Sequence, residues 1–400
     1  MRGGSVRGKS ANIQRDFEAA HNRIWSNYFA ESPLYPEKFF RRRYRMRRPL
    51  FCRIMDAVVS RDDDFRQRVD ALGRKGISNL QKCSAAIRML AYGCCADLLD
   101  DSVGMAESTV LEYTKKFCEA MIAEFESEYL RTPTHSDITR QLNLSADRGF
   151  PGCIGSLDCM HWMWEMCPYA LKGQFSGKEG KPSLVLEVVA DYRLWIWHFN
   201  FGSAGSNNDI NIINSSPLLN RHIIRHAEYD AFSYTVAGKD FQDLYYLVDG
   251  IYPSYACFMP TISKPRSAKE KHFAKQQEAA RKDVERAFGV LQKRFRILKL
   301  SSQIWYAEDM VSVIKACVIL HNMIVEDEWA VDDLEDLPEE DTHVETTSRA
   351  ISRGVRASDE QLEVSEFITR RLQLQSEVNH LALKTALIDH LWNLKGKTLR

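Results

Sequence analysis

The stretch Tyr245-Tyr246-Leu247-Val248-Asp249-Gly250 decides the fold class, and it has a counterpart in Gly152-Cys153-Ile154-Gly155-Ser156-Leu157-Asp158. Each reads as a short buried strand that closes on an aspartate. Residues 183–190 (SLVLEVVA) and 194–201 (LWIWHFNF) are two further strand-forming runs, and Asp191-Tyr192-Arg193 between them is a hairpin signature. Downstream, residues 267–298 and 310–326 carry long helical patterns. Strands followed by helices in one unit predict an α/β fold, a mixed sheet with covering helices. Towards the N-terminus, residues 50–131 read as helical. Cys83, Ala86, Ile87, Leu90 and Ala91 share one helix face, and Val110, Tyr113, Phe117 and Met121 mark a second amphipathic helix. Two helices across a Gly-containing connection resemble a helix-turn-helix. The second offers Lys115 and Lys116 but no Arg or Asn/Gln row at its start, so DNA reading and plain helical packing both stay open.

A chain of 400 residues has room for two or three units. With 44% hydrophobic and 27% charged residues it can build a core without covalent staples. The ten cysteines are scattered, without CxxC spacing, and no signal peptide or long apolar run accompanies them. That predicts free thiols in a reducing compartment and no membrane association. A net charge of zero hides strong segregation. Residues 2–48 hold 12 Lys/Arg against 4 Asp/Glu, residues 264–299 repeat that balance, and residues 326–345 hold 11 Asp/Glu with no Lys or Arg. Basic regions of this kind suit an anionic partner, and the acidic block suits a solvated spacer. Residues 41–48 pack six arginines into eight positions. They read as a nuclear-import signal, a phosphate-binding arm, or simply a basic helix end before Pro49. The Gly/Ser/Arg-rich residues 1–12 are expected to be disordered.

Asp158 and Asp249 share an environment, each at the end of an apolar strand, where ligands of open α/β sheets gather. Either one alone could equally cap a turn. Glu285 adds a third acid. Val284, Phe288, Leu291 and Phe295 form a buried stripe, and Glu285 lies at its edge with Arg281, Lys282 and Arg286 around it and Gly289 leaving room beside it. A surface ion pair is the alternative reading. Three carboxylates from two strands and a helix could hold two Mg²⁺ ions for in-line phosphoryl displacement, with the basic surround on the phosphate backbone. The cluster Cys159-Met160-His161 with Cys167 fits no structural zinc spacing.

With these motifs in hand, the chain resembles the PIF/Harbinger transposases and their domesticated relatives, closest to the plant-type branch. The carriers are Gly155-Ser156-Leu157-Asp158-Cys159-Met160-His161-Trp162, Leu194-Trp195-Ile196-Trp197-His198, Gly205-Ser206-Asn207-Asn208-Asp209-Ile210-Asn211, residues 245–253, residues 281–291 and Leu320-His321-Asn322-Met323, in that order. The resemblance implies an RNase H-like DDE nuclease that cuts and rejoins DNA at transposon ends, beside an N-terminal helical domain. It assigns Asp158, Asp249 and Glu285 as the catalytic triad, with 35 residues between the last two. Asp209 joins them as a fourth metal ligand, with helix capping as its alternative. The phosphate-contact candidates are Arg281, Lys282, Arg286, Lys293 and Arg294. The cofactor implied is Mg²⁺, with Mn²⁺ as substitute. The partners implied are DNA with terminal inverted repeats, a Myb-like DNA-binding protein that assists nuclear entry, and a second copy of the chain, with the nucleus as the destination and the cytoplasm as a station before import. The expected domains are a basic arm (1–48), a helical domain (49–135), the nuclease (136–328), an acidic linker (329–350) and a C-terminal helical segment (351–400). A second class of function competes: a domesticated, catalytically silent nuclear interaction protein.

Overall fold

A computed structural model describes residues 13–177, 180–224, 229, 232–335 and 364–398. The expected disorder of residues 1–12 and the acidic linker beyond residue 335 lie outside the described residues. The chain divides into two compact units, Met1–Glu128 with Leu291–Leu320, and Tyr129–Val290 with His321–Arg400.

The first unit is helical: Phe17–Tyr28, Glu37–Tyr44, Arg48–Arg61, Asn79–Tyr92 and most of Glu107–Tyr129. The basic arm expected over 1–48 is not a separate arm from residue 17 on. Tyr28, Phe40, Tyr44 and Phe51 are buried together, with Phe40 and Tyr44 stacked at 4.5 Å and Tyr44 and Phe51 edge-on at 5.0 Å. The arginines between these aromatic anchors cannot leave the surface the anchors dock on. The Asn79–Tyr92 helix begins on a Ser78–Gln81 capping box and ends at Gly93, whose φ of 57° favours glycine. The connection from there to Glu107 holds two short helical turns of its own, Ala96–Leu99 and Asp100–Val103. It is longer than a helix-turn-helix allows. The second helix is not a free basic face either, because Lys115 pairs with Asp309, and Lys116 with Asp64 and Glu112.

The second unit is built on a sheet of β1 (Cys153–Met163), β2 (Ser183–Ala190), β3 (Ile196–Ala204), β6 (Tyr245–Val248) and β7 (Phe258–Pro260), with β4 (Tyr234–Val236) and β5 (Lys239–Phe241) forming a separate ribbon. The sheet order is β3-β2-β1-β6-β7. The β3-β2-β1 pairings are antiparallel, and β1-β6 and β6-β7 are parallel, so the predicted mixed sheet is present. Every residue of β2 is buried, including Glu187, the one charge within its otherwise apolar run. Alternation along β6 assigns the two faces. Tyr246 and Val248 pack with Leu157, Val189, Ile213 and Leu218. Tyr245 and Leu247 pack with Phe273 and Ala280 of the Ala268–Arg294 helix and with Leu383, Leu387 and Leu391 of the Glu377–Thr398 helix.

The C-terminal helix thus packs on this sheet rather than needing another subunit, through a stripe rotated from the expected one. Leu381 and Thr385 are exposed, while Leu383, Ala386 and Leu387 are buried. Burying a leucine such as Leu387 fully stabilises the docking by about 1.5–3 kcal/mol. The Ala307–Glu335 helix runs into the first part of the expected acidic linker. Its Leu320-His321-Asn322-Met323 motif is structural. Asn322 accepts from Ile196 N at 3.0 Å and donates to the carbonyls of Tyr129 at 2.8 Å and Ile196 at 2.9 Å, while His321 Nε2 lies 2.8 Å from the Leu194 carbonyl. Among the described residues no helix is long and apolar enough to cross a membrane.

Candidate metal-assisted nuclease site

Asp158 does not close its strand. It lies in the middle of β1, because β2 continues to pair with β1 as far as Met163 opposite Ser183. What ends near it is the parallel pairing with β6, whose last partner on β1 is Ser156, opposite Leu247. Asp158 shares a face of β1 with Ser156, and Asp249 follows the end of β6 by one residue, two beyond Leu247. The face is the one covered by the Ala268–Arg294 helix, where the Ser156 hydroxyl donates to the Ala280 carbonyl at 3.4 Å.

That helix brings Arg281 and Glu285 over the acids. Val284, Ala287, Phe288 and Leu291 are buried, and Glu285 at the border of the stripe keeps 44% of its side chain exposed. Arg281 lies one turn earlier and is only 15% exposed. Its guanidinium spans two carboxylates, with Nη1 3.2 Å from Asp158 Oδ2 and Nη2 2.7 Å from Glu285 Oε1. Its Nε is buried without a hydrogen-bond partner. Burial pushes the Asp158 carboxyl up to about 6; the Cys159 N–H and Arg281 oppose the shift, and the charges of Glu285 and Asp209 reinforce it. Asp158, Asp209, Glu285 and Arg281 therefore share one electrostatic neighbourhood. Asp209 opens the Asp209–Ser215 helix, but the cap is its neighbour Asn208, whose side chain accepts from Asn211 N at 2.8 Å. Asp249 accepts from Gly250 N at 2.6 Å, so the turn-capping role weighed from sequence is real.

The donors fit a hard divalent cation in kind, since all four acids offer carboxylate oxygen. Two of them, Asp158 and Glu285, stand around Arg281, which supplies the positive charge. Among the described residues no group of three or more His, Cys, Asp or Glu is gathered closely enough to hold a metal ion. Of the expected phosphate contacts, Lys282 and Lys293 are exposed. Arg286 donates to the Tyr192 carbonyl at 3.2 Å and lies near Asp283, and Arg294 is half-buried. Lys293 and Arg294 fall in the first unit.

Two features escaped the sequence reading. On the opposite face, Glu187 is 1% exposed and accepts from Asn200 Nδ2 at 3.0 Å, with His198 Nε2 at 3.5 Å. Cys159, opposite Glu187 in register, lies 3.5 Å from the Tyr252 hydroxyl. The signal was available: Glu187 is the lone charge in SLVLEVVA. The second is Asp191 at the β2–β3 turn, 7% exposed, which accepts from Trp195 N at 3.0 Å and Trp197 Nε1 at 2.9 Å. Its carboxyl is pushed up to about 6, mainly by burial.

The profile of a plant transposon protein family matches residues 127–332, and that of a domain of unknown function matches residues 21–59. A protein of Arabidopsis thaliana named "Protein ALP1-like" is 24% identical over 250 residues, 61% of this chain and 60% of that protein. A Bos taurus protein named "Putative nuclease HARBI1" is 24% identical over 263 residues, 64% of this chain and 71% of that protein, and its Rattus norvegicus namesake is 23% identical over the same shares. No solved structure matches the chain.

Proposed function

Because this chain belongs to the plant transposon protein family, we propose that it is a divalent-metal-dependent DNA endonuclease of the Harbinger transposase type, which cuts and joins DNA at transposon ends. The observation that supports this reading is that Arg281 bridges Asp158 and Glu285, with Asp209 within electrostatic reach of Asp158. The RNase H-like reading of the sheet rests on the family resemblance and on the mixed order β3-β2-β1-β6-β7.

In this reading Asp158, Asp209, Asp249 and Glu285 hold Mg²⁺, for which Mn²⁺ can substitute. Bound there, the metal would activate a water or a 3′-hydroxyl and stabilise the leaving oxygen of an in-line phosphoryl displacement. Arg281 offsets part of the repulsion between Asp158 and Glu285. Lys282 and Lys293 are exposed and suited to phosphate, and Arg281, Arg286 and Arg294 would reach it only by leaving present contacts. The substrate is DNA bearing terminal inverted repeats. A Myb-like protein supplies sequence reading and nuclear entry, in keeping with the absence of a tight helix-turn-helix among the described residues, and the working form is a homo-oligomer.

One observation favours a second reading, a catalytically silent nuclear scaffold: Arg281 already neutralises two of the acids. The test is incubation of the full chain, with and without a Myb-like protein, with terminal-repeat DNA and Mg²⁺ or Mn²⁺. Cleavage that disappears in Asp158→Asn supports the nuclease. Absence of cleavage under every metal and partner condition overturns it in favour of the scaffold.

A further inference from the structure

A cavity of about 400 Å³ in the first unit is walled by Arg23, Arg43 and Arg88 together with Tyr28, Tyr35 and Tyr92. Two of its arginines lie against aromatic rings. The Arg43 guanidinium lies 4.1 Å from the Tyr35 ring centre and 5.4 Å from that of Tyr28, and its Nη1 donates to the Tyr28 hydroxyl. Arg88 lies 5.7 Å from the Tyr28 ring and 5.3 Å from that of Tyr44. Stacking occupies the π-face of a guanidinium and leaves its N–H edge to seek acceptors. Those edges are poorly served. Among the described residues the Arg88 Nε is buried without a partner, and Arg23 donates to the carbonyls of Asp101 and Ser102. Among the described residues none of the three arginines pairs with a carboxylate, in contrast to Arg15, Arg48, Arg53 and Lys75 of the same unit, each of which does. Asp101 is the single acid of the lining, so the wall carries three positive charges against one negative.

We propose that this cleft binds a nucleotide unit of a DNA strand, with the phosphate on the N–H edges of Arg43 and Arg88, Arg23 at the rim, and the sugar or base against the tyrosine rings. A phosphate offers several charged acceptor oxygens to the fork-like donors that arginine presents, which a neutral ligand cannot do. Aromatic rings beside such donors are the usual platform for single-stranded nucleic acid. That DNA supplies the nucleotide rests on the function proposed above; the anion preference rests on the cleft alone.

The test measures DNA binding by fluorescence anisotropy on the full chain in EDTA, carrying Asp158→Asn so that cleavage plays no part. Arg43→Gln with Arg88→Gln is expected to weaken binding by about tenfold or more and to reduce the salt slope by about 2, roughly one unit per lost phosphate contact. Arg43→Lys alone, which keeps the charge, is expected to retain the slope. Inorganic phosphate and dAMP are expected to compete with the oligonucleotide and to stabilise the wild type, not the double variant, against heat. Unchanged affinity and slope in a folded double variant overturns the proposal, as does a wild type that binds no DNA. If dAMP stabilises the wild type while oligonucleotide binding ignores the arginines, DNA as the ligand is overturned. Should the Gln pair unfold the protein, Arg23→Gln at the exposed rim carries the same salt-slope test. A chain that binds DNA through these arginines but never cuts it overturns the nuclease reading and leaves this one standing.

Discussion

Two aspartates of the second unit carry the same electrostatic signature in different company. Asp158 in β1 and Asp191 at the β2–β3 turn are both pushed up to about 6, and burial is the leading cause in both. Asp191 has its oxygens occupied by the Trp195 N–H and the Trp197 indole, so its charge is spent on holding a turn. Asp158 accepts one backbone N–H, leans on Arg281, and feels two further carboxylates, Glu285 and Asp209. A raised carboxyl is therefore no mark of a site by itself. What separates the two is like charge gathered nearby, an arrangement that costs stability and makes sense where a cation is to be held.

That contrast is most exposed to failure in Asp158→Asn. Loss of one carboxylate from a catalytic set costs on the order of 10⁴-fold in rate. The same change removes like-charge repulsion, so the melting temperature at neutral pH is expected to hold or rise. Calorimetry that finds Asp158→Asn strongly destabilised would make Asp158 a structural group like Asp191. Next in size is Asn322→Ala, which deletes three hydrogen bonds around Ile196 and Tyr129 beside the Asp191 turn. The expected cost is about 3 kcal/mol, seen as a fall in the urea midpoint. Asp191→Ala leaves two donors without this acceptor and should cost about 2 kcal/mol, with the cleavage rate of the folded fraction unchanged. A variant that keeps its stability but loses cleavage would move Asp191 into the chemistry.

The sequence made four strands, β1, β2, β3 and β6, legible because buried strands carry long apolar stretches, whereas β4, β5 and β7 are three residues each and leave no such stretch. It misplaced Asp158 at a strand end, since β1 continues through Cys159-Met160-His161 on the strength of its pairing with β2, and pairing leaves no local trace. It located Asp209 at a helix start but weighed it as the cap that Asn208 is, a difference of one residue that no pattern resolves. The Arg281–Glu285 pair was readable from its spacing of four. The contact of Arg281 with Asp158 spans 123 positions and was not. Arginines 41–48 look like a free arm in a string of letters, and only the tyrosine and phenylalanine packing between them reveals that they belong to a folded unit. The catalytic assignment itself came from ordered motifs rather than from any one acid.

The pH dependence is the most discriminating test, because it separates the two aspartates. Each has a folded-state pKa of about 6 against an ordinary 3.8, so the folded chain keeps these protons where the unfolded chain has released them. From these two groups the fold loses stability as pH rises from 3.8 through about 6 and bears the full penalty above it. Metal binding has the opposite sign. A cation at Asp158 must displace the proton, so Mn²⁺ affinity should fall by roughly tenfold per unit as pH drops below the Asp158 pKa. Asp191 takes part only in the first effect. Thermal shifts with Mn²⁺ across this range should therefore fade towards acid pH in the wild type, vanish at every pH in Asp158→Asn, and follow the wild-type profile in Asp191→Asn. A Mn²⁺ shift that ignores pH, or one whose pH profile disappears in Asp191→Asn, would erase the distinction between the two carboxyls.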